Sequence, residues 1–115
     1  MSKPDARLLR LADVGSALKE AALARLRAAA QECRRVEAEL AALDAEARRA
    51  AADDDVAVRA MLEEPRARHH RLRRKALNAE LARARVEEAN AIRAATQAFG
   101  RDRAVQGLIE RARLR

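Results

Sequence analysis

Apolar residues recur along the first half of the chain in steps of three and four: Leu8, Leu11, Gly15, Leu18, Ala22, Leu26, Ala29, Cys33, Val36, Leu40, Leu43, Ala47 and Ala50. Alternating threes and fours are the heptad rhythm of a coiled-coil helix. Two consecutive fours, Leu18 to Ala22 to Leu26, read as a stutter that locally unwinds a supercoil. Helix 1 is expected over about residues 5–52. It would open at Lys3-Pro4-Asp5, where Pro4 suits a first-turn position and Asp5 complements the positive end of the helix dipole. Asp53-Asp54-Asp55 breaks the stripe. Three carboxylates oppose the dipole at a helix C-terminus but suit the start of the next helix, so the turn is placed at about residues 53–56.

A second stripe, read backward from Phe99, is Ala95, Ile92, Glu88, Ala84, Leu81 and Leu77. Pairing positions whose numbers add to about 110 sets Leu11 against Phe99, Leu18 against Ile92, Leu26 against Ala84 and Cys33 against Leu77. Helix 2 has its own double-four step from Ile92 through Glu88 to Ala84, opposite the stutter of helix 1. The same register places Glu37, Glu39, Asp44 and Glu46 opposite the Arg66–Arg74 stretch. These coincidences predict an all-α fold: an elongated antiparallel two-helix coiled-coil hairpin, a single domain over 1–115. Glu88, Arg74, His70 and Glu63 fall on the stripe, so the half near the turn is expected to pack poorly. Pro65 costs about 3 kcal/mol inside a helix. Either helix 2 kinks there, or residues 53–64 form a loose connection and the regular helix starts at Pro65; the residues leave both open. Helix 2 is expected to run to about residue 98, with Gly100 as a cap or hinge. Residues 101–115, striped with Val105, Leu108, Ile109 and Ala112, form a short helical tail; past about residue 104 the register leaves no helix 1 partner, so the tail either projects beyond the hairpin or continues as an unpaired helix.

Composition narrows the class further. The 115 residues carry 25 Lys+Arg and 18 Asp+Glu, a net charge of +7, and one aromatic residue, Phe99. Half the residues are hydrophobic, but most of these are alanine. Sheet cores need β-branched and aromatic bulk, whereas Ala, Leu, Arg and Glu are strong helix formers. No apolar run approaches the roughly 20 residues of a membrane span. The N-terminal leucines are interrupted by Arg10 and Asp13, unlike a signal-peptide core. One cysteine cannot make an intramolecular disulfide. A cytoplasmic location is the expectation.

Few residues offer chemistry. The basic cluster Arg66, Arg68, His69, His70, Arg71, Arg73, Arg74 and Lys75 could neutralise phosphates. At 100° per residue these side chains form a collar instead of a stripe, and aromatics for base stacking are absent. A solvated segment partly paired with helix 1 carboxylates is the favoured reading. His69 and His70 are adjacent and point about 100° apart, so they do not form the i, i+4 metal pair. Asp53–Asp55 lacks the glycine and distal glutamate of a calcium loop. Cys33 lies on the stripe as a small hydrophobe. Without a phosphate loop, a nucleophile motif or a cavity, the chain is read as a non-enzyme without cofactor or metal. The tail, basic through Arg101, Arg103, Arg111, Arg113 and Arg115, suggests docking of an amphipathic helix on a partner.

The segment Arg73-Arg74-Lys75-Ala76-Leu77-Asn78-Ala79-Glu80-Leu81-Ala82-Arg83, with Ala98-Phe99-Gly100-Arg101 and Leu108, resembles the short FliJ/YscO-like proteins of flagellar and type III secretion export. The resemblance covers about residues 66–112. It implies an antiparallel hairpin similar to the stalk of the rotary ATPase γ subunit, located in the cytoplasm and peripherally at the membrane export apparatus. Its partners would be an export ATPase ring, entered by the paired terminal ends, and secretion chaperones. Leu8, Leu11, Phe99, Arg101, Arg103 and Leu108 at that end are the expected contacts. A generic coiled-coil adaptor and a small nucleic-acid-associated protein remain the alternatives, and the oligomeric state is open, since two chains could pair through the same stripe.

Overall fold

The computed structural model describes residues 5–115; Lys3 and Pro4, expected at the start of helix 1, lie outside them. Two long helices, α1 (Ala6–Ala51) and α2 (Val56–Leu114), account for nearly all of the described residues, and no strand occurs among them. Asp5 caps α1: its Oδ1 accepts the Arg7 backbone N–H at 2.8 Å, satisfying one of the donors that every helix start leaves open.

The acidic triplet builds the turn. Asp53 Oδ1 accepts from the Asp55 backbone N–H at 3.1 Å, and Asp55 Oδ1 accepts from the Val58 N–H at 3.1 Å. Asp55 is therefore the N-cap of α2. Arg59 donates to the Asp53 carbonyl at 3.0 Å, and α1 closes with backbone bonds from Ala52 and Asp53 to carbonyls of its last turn.

The expected division of helix 2 is corrected at both ends. α2 starts at Val56 and holds Pro65 inside it, so residues 53–64 are not a loose connection. It also runs through Gly100 to Leu114 without a break. Gly100 does not cap or interrupt the helix, and of the two forms open to residues 101–115 continuation as helix is the one found, except that this stretch is not unpaired, since Ile109 is buried.

The chain's contacts divide into two units: a turn unit, residues 31–86, and a terminal unit that pairs the start of α1 up to residue 30 with α2 from residue 87 onward. In the turn unit, Val36, Leu43, Leu77 and Leu81 form the buried core, with Leu40 packed against it. Val36 and Leu77 are fully enclosed. Cys33 and Ala84 are also buried there. Each buried methylene contributes roughly 0.8 kcal/mol, so these aliphatic layers are the best-stabilised part of that unit. The polar seam residues have a specific solution: Arg74 Nη1 donates to both oxygens of Asp44, at 2.6 and 2.7 Å, and His70 Nε2 shares a hydrogen bond with Asp44 Oδ1 at 3.0 Å.

The terminal unit is built differently. Its inward positions on α1 are Leu8, Ala12, Gly15, Lys19, Ala22, Leu26 and Ala29, all buried or half-buried. On α2 they are Glu88, Ala91, Ala95, Ala98, Asp102, Val105, Ile109 and Ala112. Both series step by fours and threes without interruption, so the expected stutters are absent. The sequence pattern had put Leu11, Leu18, Ile92 and Phe99 on the stripe. The structure turns Leu11, Leu18, Ile92 and Phe99 outward, at 50, 52, 49 and 45% exposure, and seats Ala12, Lys19, Ala91 and Ala98 in the seam. The register moves with them. Gly15 faces Asp102, so pairs add to 117 instead of about 110, and Ile109, fully inside at 5% exposure, falls opposite Leu8. Small side chains allow two helix backbones to approach closely, which compensates for the little area each alanine buries.

Candidate protein-docking surface

The flanks of the seam differ between the two units. In the turn unit they are ionic. Arg35 is held by Glu32, Glu39 and Glu80 at 2.6, 2.8 and 2.7 Å, and these carboxylates raise its pKa further above its ordinary value, Glu32 most. Glu39 also meets Arg73 at 3.4 Å, and Glu37 meets Arg85 at 3.8 Å. Exposed pairs of this kind add little stability; the large apolar side chains that this unit exposes are Val56, Val58, Met61, Leu72 and Val86.

In the terminal unit the corresponding flanks are apolar. On one edge, Leu11, Leu18 and Arg25 follow one another at seven-residue spacing on α1, as do Leu108, Arg101, Ala94 and Glu87 on α2. Arg25 joins the two rows through a bidentate pair to Glu87, at 2.7 and 3.2 Å. This hydrogen-bonded pairing raises the Arg25 pKa and lowers that of Glu87. From that tie the rows run alongside each other toward Leu18, Leu11 and Leu108, all exposed. Val14, also exposed, lies on the same side of α1.

The other edge carries a shallow groove of about 640 Å³ lined by Leu23, Leu26, Ile92, Ala95, Thr96 and Phe99, with Gly100, Asp102 and Arg103 at one end. Lys19 Nζ lies 5.5 Å from the centroid of the Phe99 ring, within cation–π range. Nothing lies within 4 Å of a Cβ placed on Gly100, so the groove is open there.

Of the expected contacts, Leu11, Phe99, Arg101, Arg103 and Leu108 are exposed in this unit, and Leu8 is half-buried in the seam. They do not form one patch: Leu11, Arg101 and Leu108 belong to the first edge, Phe99 and Arg103 to the second. Sequence reasoning missed Val14, Leu18 and Ile92 as surface residues because it had spent Leu18 and Ile92 on the seam. An unbroken count of threes and fours through Ala12, Lys19, Ala91 and Ala98 was the signal that could have found them.

The basic cluster is engaged internally in several places. Besides Arg73 and Arg74, Arg71 meets Glu64 at 3.4 Å and Arg66 lies 3.9 Å from Asp53. Arg68 and Lys75 are exposed. Beside this segment, a cavity of about 880 Å³ opens between the end of α1 and the first turns of α2, lined by Leu43, Ala47, Ala50, Val56, Ala60, Pro65, Arg66 and His70, among others. Arg66 Nη1 is buried there without a hydrogen-bond partner. Among the described residues no group of three or more His, Cys, Asp or Glu is placed to hold a metal ion, and no helix is long and apolar enough to cross a membrane. Compared with known proteins, the chain matches no family model, no curated protein and no solved structure.

Proposed function

We propose that this chain is a non-catalytic coiled-coil interaction protein of the cytoplasm whose terminal unit docks on a protein partner. One observation carries the reading: large apolar side chains flank the seam on both edges of the terminal unit, where the turn unit places ion pairs. Exposed apolar rows beside a tightly packed alanine seam are costly in isolation and are accounted for by burial in an interface. The resemblance to FliJ/YscO-like proteins makes an export ATPase ring of a flagellar or type III system the first partner to test, with secretion chaperones next.

The test is binding of the full chain to the purified export ATPase of its own cell, followed by sedimentation. Leu11→Asp and Phe99→Asp, one on each edge, should weaken binding while leaving helical circular dichroism unchanged, because both side chains are outside the seam. Removing residues 101–115 is a poor test, since it would take Ile109 out of the seam. Unchanged ATPase binding in both variants, or no binding by the native chain, would sink the ATPase assignment. Nucleic-acid binding through the collar is disfavoured by its internal ion pairs. A steep loss of duplex affinity with salt would be the mark of that alternative.

A further inference from the structure

We infer that the edge of the terminal unit formed by Leu11, Val14, Leu18 and Leu108 is a seat for one amphipathic helix of a partner protein, and that this helix is acidic. The inference rests on the proposed docking role of this unit and specifies the chemistry of its occupant.

The shape argues for a helix. The apolar positions Leu11, Val14 and Leu18 are spaced by three and four on α1, and α2 supplies a parallel bank through Ala94, Arg101 and Leu108. Two antiparallel helices with exposed apolar rows along one edge accept a third helix by the same knobs-into-holes packing that joins the first two. A lipid surface fits less well. The face of α2 that an interfacial helix would insert is already turned against α1 through Ile109, Val105 and Ala112, which are buried or half-buried. The exposed apolar residues are instead shared by two helices.

Charge argues for acid. Residues 1–30 and 87–115 together hold 12 Lys+Arg against 7 Asp+Glu, a net +5 of the chain's +7, so this unit carries most of the chain's net positive charge. At the edge itself Arg101 stands between Ala94 and Leu108 in its row, and Arg111 follows Leu108 by three. The carboxylate of the same row, Glu87, is already bound to Arg25 at 2.7 Å. A second copy docked by the same edge would set Arg101 and Arg111 against their own kind with no carboxylate to answer them. A helix with leucines on one face and glutamates along its borders would meet both needs, since complementary charge at a rim sets orientation and partner choice.

The experiment uses the full chain and two synthetic amphipathic 21-residue peptides, identical in their leucine positions, one bordered by Glu and the other by Lys. Binding is read by fluorescence anisotropy, and the seat by methyl NMR shifts of the leucines. The Glu peptide should bind and shift Leu11, Leu18 and Leu108, with the Lys peptide weaker by about ten-fold or more. Arg101→Glu should reverse that preference, and Leu18→Glu should abolish binding of both. Leu72→Glu, at an exposed site of the turn unit, should change nothing. Equal binding of the two peptides, shifts outside the edge, or displacement of the peptide by phosphatidylserine vesicles would overturn the inference, as would peptide-independent dimerisation through Leu18. The two proposals fail separately. Peptide binding without ATPase binding removes only the ATPase assignment. ATPase binding that survives Arg101→Glu and Leu18→Glu removes only this seat.

Discussion

Lys19 and Asp102 form an ion pair across the alanine seam, Nζ to Oδ2 at 3.1 Å, with the Asp102 side chain 12% exposed. Asp102 is the one buried charged residue among those described, and its Oδ1 accepts no hydrogen bond. Gly15 faces it: a Cβ there would stand 3.5 Å from Oδ1 and 3.8 Å from the Asp102 Cα, at ordinary van der Waals contact. Alanine layers look alike to one another, so shape alone specifies register weakly. A single polar pair in a coiled-coil seam fixes register at some cost in stability.

Removing one partner should therefore cost more than removing both. Lys19→Leu alone strands the Asp102 carboxylate and should destabilise by about 1–3 kcal/mol, the range for a buried polar group left unsatisfied. The double variant Lys19→Leu/Asp102→Leu should recover that loss. It should also lose uniqueness, seen as broadened NMR spectra or mixed oligomers. Urea denaturation of the three proteins gives the comparison, and equal stability of the single and double variants would remove the pair from this role.

Leucines in the two settings should differ in their response to truncation. Leu77→Ala, in the enclosed core of the turn unit, should cost about 2–5 kcal/mol. Leu18→Ala, half-exposed beside the seam, should stay within about 0.5 kcal/mol. Thermal melts of both variants check the assignment. A large loss from Leu18→Ala would return that residue to the seam and restore the stutter.

The continuity of α2 has its own consequence. Gly100 lies inside the helix, where a Cβ meets nothing within 4 Å, so Gly100→Ala should stabilise by about 1 kcal/mol. Pro65→Ala restores a backbone donor at a helix interior and should stabilise as well, by up to about 3 kcal/mol. Either variant melting below the native chain would mean that its position serves as a break.

Acid should weaken the fold in a definite direction. Asp44 is held below its ordinary carboxylate value by hydrogen bonds from Arg74, chiefly, and from His70. Glu32 is lowered by Arg35 and Glu87 by Arg25. A carboxylate whose folded pKa is depressed contributes its stability in full above its unfolded pKa, and loses it as pH falls through the folded one. Urea midpoints should therefore be flat near neutrality and decline once the pH drops below the ordinary carboxylate range. Arg74→Ala should flatten part of that decline. A midpoint that rises on acidification would contradict the sign.

The sequence by itself determined the helices, the turn and the fold class. Heptad spacing, helix-forming composition and three consecutive aspartates act locally, and local hydrogen bonding realises them: Asp53 and Asp55 bond backbone donors two and three residues away. It also singled out Leu11, Phe99, Arg101, Arg103 and Leu108 as contacts; the structure leaves them exposed on the terminal unit, Leu11 and Phe99 contrary to the expected register that paired them in the seam. What only tertiary structure decided was which neighbour in each pair faces inward. Leu11 and Ala12, or Ala98 and Phe99, differ by one residue and about 100° around the helix, and hydrophobicity favours the larger side chain. The close approach of two backbones favours the smaller one. In the terminal unit close approach prevailed, so the large residues turned outward, the register shifted to place Asp102 beside Gly15, and the last turns of α2, which by sequence alone had no helix 1 partner, packed Ile109 into the seam.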